Sequence, residues 1–296
     1  MSTSWPPPGT QPLPIDVVSV QSQVTYGRVG NNVAIPTFMS FGLSAAAIPT
    51  VLLSNTPHYP SLHGGAIPMP WFTGYLDDLV ARGALTRMRA VQCGYLGTPE
   101  QARTLAGWIE RRRHEHPELR VIIDPVIGDH DQGVYVDPAL VTAYSEVLLP
   151  LADVLTPNDF ELAHLTGTTP TSVDDTIAAA RKLLHGQVQM VIVTSALPST
   201  WPVGEMQILL VEADAAHLIT HPFVDIAPKG TGDLFSASLC AHWLAGQSLQ
   251  QAAGKAAARV VHAMRTTQEV HCAELLLPGQ APAATESEIT IQTLPA

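Results

Sequence analysis

The chain has 296 residues, 46% of them hydrophobic and 14% charged, with a formal net charge of −11. That length and apolar content suit one large α/β unit and exclude a disordered chain, while the acidic balance argues against a nucleic-acid partner. Cys93, Cys240 and Cys272 are scattered, with neither zinc spacing nor a disulfide framework, and no apolar run is long enough to span a bilayer, so the expectation is a cytoplasmic protein with no membrane partner.

Residues 1–14 carry Pro6, Pro7, Pro8, Pro12 and Pro14 among polar neighbours and read as a disordered tail. Ile15–Val20 reads as the first buried strand, followed by a polar loop to Gly27 and a helix from Val29 to Phe41 that Pro36 kinks or limits. A second strand, Ala45–Thr50, leads into a long polar stretch through Asn55, Pro57 and His58 to Gly64–Gly65, which has the character of a mobile flap. Pro70–Ala84 is helical, with Trp71, Tyr75, Leu76 and Leu79 assigned to one face. Arg89–Cys93 is a strand that runs into Gly94-Tyr95-Leu96-Gly97. Thr98 caps a helix through Glu115, with Pro99 at its first position.

Arg120–Ile123 is a strand ending on Asp124-Pro125, and Pro138 opens the next helix. Val154-Leu155 is a short strand before Thr156-Pro157-Asn158 and a helix that holds Glu161; a further helix covers Val173–Leu184. Met190–Val193 is a strand ending on Thr194. Met206–Glu212 and His217–His221 alternate like a hairpin. Two helices follow, the second from Leu249 to about Met264, and residues 279–296 read as a loose tail.

The first of those two helices opens on Lys229-Gly230-Thr231-Gly232-Asp233-Leu234-Phe235. Glycines at such a turn permit close approach, and the first amides of a helix have no intrahelical partner, so they suit a phosphate. Asp233 adds a carboxylate able to take a proton from an alcohol attacking a nucleotide phosphate. The alternative is that Thr231 or Asp233 merely caps the helix. Strands alternating with helices give a parallel sheet with helices on both faces, whose ligands bind beyond the carboxyl ends of the strands. Ser22, Asn55, Tyr95, Asp124, Thr156 and Thr194 all fall at such ends, which favours the chemical reading of Asp233.

In family order, Val20-Gln21-Ser22-Gln23-Val24, Tyr26-Gly27, Gly30-Asn31, Leu53-Ser54-Asn55-Thr56-Pro57-His58-Tyr59, Gly94-Tyr95-Leu96-Gly97, Asp124-Pro125-Val126-Ile127-Gly128-Asp129, Thr156-Pro157-Asn158 with Glu161, and Gly230-Thr231-Gly232-Asp233 resemble the pyridoxal kinases of the ribokinase-like superfamily. The resemblance covers residues 15–278 and implies a three-layer sandwich, a mostly parallel sheet between helices. It implies ATP-dependent phosphorylation of the 5′-hydroxymethyl group of B6 vitamers. Asp233 would be the base, and Gly230, Thr231 and Gly232 the anion hole. Ser22, His58 and Tyr95 would contact the vitamer, with His58 on the flap. Asp124, Thr156, Glu161, Thr194, Thr231 and the segment His221, Pro222, Phe223 and Val224 would line the nucleotide. Tyr135 and Glu161 would lie at the metal, Mg²⁺ with Zn²⁺ as the alternative, and the assembly would be a homodimer. Lys229, beside a bound aldehyde, has the chemistry for an imine. The rival readings are a kinase of the same fold acting on hydroxymethylpyrimidine or a sugar, and a non-catalytic binder of pyridoxal phosphate.

Overall fold

The computed structural model describes residues 9–295. Most of the disordered tail expected over residues 1–14 falls outside the described residues. Strand β1 spans Val17–Tyr26, helix α1 Asn31–Ser40, β2 Ala45–Asn55, β3 Gly64–Ala66, α2 Met69–Ala81, β4 Ala90–Cys93 and α3 Pro99–Glu115. Strand β5 is Arg120–Ile123, and a small hairpin, β6 Gly128–Asp129 with β7 Gly133–Val134, follows. Then come α4 Pro138–Ala143, β8 Val154–Leu155, α5 Asp159–Thr166, α6 Val173–Arg181 and β9 Met190–Val193. The hairpin β10 Glu205–Val211 and β11 Ala216–Pro222 precedes α7 Thr231–Leu244 and α8 Leu249–Glu269, and the chain ends on α9 Ala283–Glu286 and β12 Thr290–Thr293.

The ten-stranded sheet runs β12-β11-β10-β9-β8-β5-β4-β1-β2-β3. Strands β2, β1, β4, β5, β8 and β9 are parallel neighbours; β10 is antiparallel to β9, and β11 to β10. Two reversals give β11 the direction of β9, so Pro222 leaves the sheet at the same edge as Thr194. The central strands are buried on both faces, as their near-continuous Val, Ile and Leu content requires. One face packs Val18, Val20, Val91 and Ile123 under Phe72 and Leu76 of α2, Leu105 and Ile109 of α3, and Leu162 of α5. The other packs Val17, Ala90 and Ile122 under Phe38 of α1, Phe235 and Leu239 of α7, and Ala252 and Ala256 of α8. This is the expected three-layer sandwich.

Four expectations change. The stretch after Val20 continues as strand to Tyr26, because β2 also lengthens to Asn55 and pairs with it across a register shift at Ser22. Beyond Val20, β1 no longer pairs with β4, so β1, β2 and β3 form a ribbon rising above the main sheet. In α2 Leu76 is buried and Tyr75 and Leu79 pack against the core as assigned, but Trp71 is exposed and Phe72 takes the buried place. The C-terminal stretch is not wholly loose. Strand β12 pairs antiparallel with β11, Ile291 lies over the Cα of Gly254 on α8, and Arg265 holds Glu288 with two hydrogen bonds at 2.6 and 2.8 Å. Among the described residues no helix is long and apolar enough to cross a membrane.

Candidate active site

Asp233 stands in the first turn of α7, whose N-cap is Gly230 with φ of 96°. Among the described residues no side chain caps this helix, so neither Thr231 nor Asp233 serves as a cap. The amides that follow Gly230 are left for another acceptor. Gly230 must be glycine for two reasons. Its φ is positive, and a Cβ there would run into the backbone carbonyl of Arg28.

The Asp233 carboxylate is fixed by a neighbour far away in sequence. The backbone N–H of Gly30 donates to Asp233 Oδ2 at 2.9 Å, while no hydrogen bond from the described residues engages Oδ1. Gly30 is itself the N-cap of α1, with φ of 55° and ψ of −131°, and its Cα lies against the carbonyl and hydroxyl of Ser22. The turn between β1 and α1 thus seats Ser22, Gly30 and Asp233 together. Burial pushes the Asp233 pKa up to about 6, and the Gly30 N–H partly offsets it.

Asp124, at the end of β5, comes near the Cα of Gly232 with its Oδ2. Burial raises its pKa well above the usual carboxylate range, and the Glu161 and Asp233 carboxylates raise it further. The Thr156 hydroxyl beside it partly offsets the rise, although among the described residues buried Thr156 Oγ1 makes no hydrogen bond of regular geometry. Glu161 is 3% exposed. Its Oε1 accepts from the N–H of Ile127 and its Oε2 from the N–H of Asn158, both at 2.9 Å, and the second closes a capping box on α5. Burial raises its pKa to about 8 against those amide donors. Both Glu161 oxygens therefore have backbone work, which the sequence could not show.

Tyr135 is half-exposed beside this group. Its partial burial, and then the carboxylates of Glu161, Asp129, Asp124 and Asp233, push its phenol upward, so it stays protonated. Lys229 pairs with Asp129 at 3.3 Å, so the nearest lysine is engaged with the small hairpin. Asp124, Glu161 and Asp233 thus form a knot of carboxyl groups whose raised pKa values a bound cation would bring down, a natural seat for one. Among the described residues, no three His, Cys, Asp or Glu side chains form a cluster able to hold a metal alone.

Thr194 follows β9 and donates its N–H to the Pro157 carbonyl, which aligns the β8 and β9 loops. His221 is buried, and its Nδ1 lies 3.1 Å from the Pro222 carbonyl; burial lowers its pKa, so it is a neutral strand-end residue. Phe223 is exposed and Val224 buried as the chain crosses toward α7.

The flap over residues 55–63 is tied to itself rather than loose. Ser54 and His63 exchange backbone and side-chain hydrogen bonds, and Asn55 Nδ2 donates to the Ser61 carbonyl. His58 stacks on Tyr59, with ring centres 4.3 Å apart. Tyr95 follows β4, its ring partly buried against the core, and its carbonyl accepts from Thr50 Oγ1. Asp233 meets Gly30, Gly30 abuts Ser22, Asp124 lies near Gly232, and Glu161 neighbours Asp124. His58, Tyr95, Thr194 and His221–Val224 lie at or after the ends of strands that finish at the same edge, and among the described residues none of them hydrogen-bonds the Asp233 carboxylate. Sequence reasoning overlooked the Gly30 amide, Glu274 and the pairing of Lys229 with Asp129; Gly30, Lys229 and Asp129 stood in quoted motifs, while Glu274 carried no signal.

The phosphomethylpyrimidine kinase family model matches residues 35–276. A pyridoxine/pyridoxal/pyridoxamine kinase of Bordetella bronchiseptica is 59% identical over 273 residues, 92% of this chain and 96% of that protein. A Leishmania donovani pyridoxal kinase, solved with ADP and pyridoxamine, superposes with a TM-score of 0.84 at 27% identity, covering 95% of this chain and 99% of that one. A pyridoxal kinase of Entamoeba histolytica has the same fold, with a TM-score of 0.86 at 23% identity, covering 95% and 100% of the two chains.

Proposed function

We infer the function from a premise: the chain belongs to the phosphomethylpyrimidine kinase family, within the group of pyridoxine/pyridoxal/pyridoxamine kinases. It is a phosphotransferase that moves the terminal phosphoryl group of ATP to the 5′-hydroxymethyl group of pyridoxal, pyridoxine or pyridoxamine. The observation that carries this reading is the Asp233 carboxylate, with one oxygen anchored and the other open, at the mouth of an uncapped helix.

In the reaction, the vitamer hydroxyl oxygen attacks the terminal phosphorus and the bond to the ADP oxygen breaks. Oδ1 of Asp233 accepts the hydroxyl proton. The amides after Gly230 receive charge building on the transferred group. Ser22, His58 and Tyr95 hold the pyridine ring. Thr156, Thr194 and His221–Val224 border the nucleotide.

Asp124 and the unpartnered Thr156 hydroxyl fit a magnesium ion carried in on the nucleotide phosphates, because such ions keep waters and take few protein oxygens. That oxygen-only set favours Mg²⁺ over Zn²⁺. The ion supplies charge neutralisation for the phosphates. Glu161 belongs to this site as the residue that fixes the Asn158 and Ile127 amides, and Tyr135 as a neutral phenol at its rim. A homodimer is part of the proposal and is checked by sedimentation.

The test is product formation from pyridoxal, pyridoxine, pyridoxamine and hydroxymethylpyrimidine with Mg-ATP. Phosphorylation of the three B6 vitamers is the expected result. Turnover of the pyrimidine alone would move the substrate assignment while keeping Asp233. Tight pyridoxal phosphate binding without turnover would overturn the enzyme.

A further inference from the structure

Glu274 lies in the segment after α8, is 7% exposed, and divides its two oxygens between two parts of the molecule. Oε1 accepts the Tyr59 hydroxyl at 2.6 Å, a length typical of a charge-assisted bond. Oε2 accepts the backbone N–H of Arg28 at 3.0 Å. His58 Nε2 lies 3.9 Å from Oε1.

The two partners belong to separate segments, the flap after β2 and the turn after β1. Tyr59 and His58 are the flap, and the Tyr59 ring also meets Tyr26 at the top of β1, with centres 5.8 Å apart. Arg28 is in the β1–α1 turn. Its carbonyl abuts Gly230, and two residues on, the Gly30 N–H holds Asp233. Glu274 is itself held firmly. Leu275 is fully buried against Val33 of α1, Leu234 of α7 and Ala263 of α8, and the Leu276 N–H donates to Thr267 Oγ1. Gly27 leaves the room this contact needs, since the space of a Cβ there is taken by Thr56 Oγ1 and Glu274 Oε2.

We propose that Glu274 is a positioning residue that clamps the His58–Tyr59 flap to the turn carrying the Gly30 amide. Flap closure and placement of the base are then set by one carboxylate. The consequence is coupling: the flap seals the site only when the turn holding Asp233 is in register, so water is kept from the phosphate. This rests on the kinase reading above.

The experiment compares the parent with Tyr59→Phe, Glu274→Gln, Glu274→Ala and the Tyr59→Phe/Glu274→Ala double variant. It measures kcat and KM for pyridoxal, ADP formed per pyridoxal phosphate formed, and hydrogen exchange of residues 54–63. Tyr59→Phe removes one charge-assisted bond, so it raises KM by up to about tenfold, more than it lowers kcat. It also lifts the ADP ratio above one and speeds flap exchange. Glu274→Ala shows the same changes with a larger fall in kcat, because Arg28 is released too. Tyr59→Phe adds nothing in that background, and Glu274→Gln falls between. Unchanged KM, ADP ratio and exchange in Tyr59→Phe would overturn the clamp, as would additive effects in the double variant. Should Glu274→Ala fail to fold, Tyr59→Phe alone decides. A parent that makes no pyridoxal phosphate would refute the kinase reading, and flap exchange would still judge the clamp.

Discussion

Helices α5 and α7 both begin at the carboxyl edge of the sheet, and both carry an acid in the first turn, yet they finish their N-termini in opposite ways. At α5, Asn158 and Glu161 form a closed capping box, and the second Glu161 oxygen takes the Ile127 amide. At α7 the N-cap is a glycine, and among the described residues no side chain answers the amides and Asp233 has one oxygen engaged and one open. The same local device is satisfied in one place and left unfinished in the other. The unfinished one is where an incoming phosphate and an alcohol proton have somewhere to go.

The comparison breaks most visibly at Asp233. Asp233→Asn keeps the oxygen that meets Gly30 and removes the base, so kcat should fall about 10²–10⁴-fold with ADP binding near that of the parent. Turnover assays with calorimetric ADP titration check this. Opening the same helix differently should cost nearly as much. Gly230→Ala forces a side chain toward the Arg28 carbonyl, and displacing an anion-hole amide lowers kcat by about 10²-fold or more.

The closed helix should respond in stability first. Glu161→Gln leaves one of two buried amides facing an NH₂, a loss of about 1–3 kcal/mol seen in urea unfolding. Its fall in kcat should be smaller than that of Asp233→Asn; an equal fall would put Glu161 in the chemistry itself.

The smallest effect sharpens the contrast. The Asp233 pKa is raised in the fold to about 6, so the folded state holds that proton more tightly than the unfolded chain. Its share of stability is present at low pH and is lost as pH rises between its ordinary value and about 6. Asp233→Asn should therefore melt higher than the parent at pH 7.5, by about 2–3 °C, and no higher at pH 4. An inactive but stabilised variant is the mark of a group kept for function.

The sequence disclosed what depends on short-range pattern. Thr98-Pro99 announces α3 and the strands read as apolar runs, because capping and burial are local rules. The Gly-Thr-Gly-Asp turn was legible for the same reason. What stayed hidden depends on distant partners. The long upper part of β1 exists because β2 pairs with it, and β12 because β11 offers an open edge. The Gly30–Asp233 bond spans 203 positions and Glu274–Tyr59 spans 215, and no periodicity reports such pairs. Glu161 stood out in the sequence beside Thr156-Pro157-Asn158, but its two amide bonds follow only from the packing of the β5–β6 loop on α5.

The most direct test is the pH dependence of kcat/KM for pyridoxal at saturating Mg-ATP. The groups facing Asp233 are the carboxyl of Asp124 and the phenol of Tyr135, with Glu161 beside Asp124, and protonated Asp233 cannot accept the hydroxyl proton. The account predicts a rate that falls as pH drops through about 6, with the limb absent from the residual activity of Asp233→Asn. A profile that stays level well below pH 5, or a limb that survives in Asp233→Asn, would contradict Asp233 as the base.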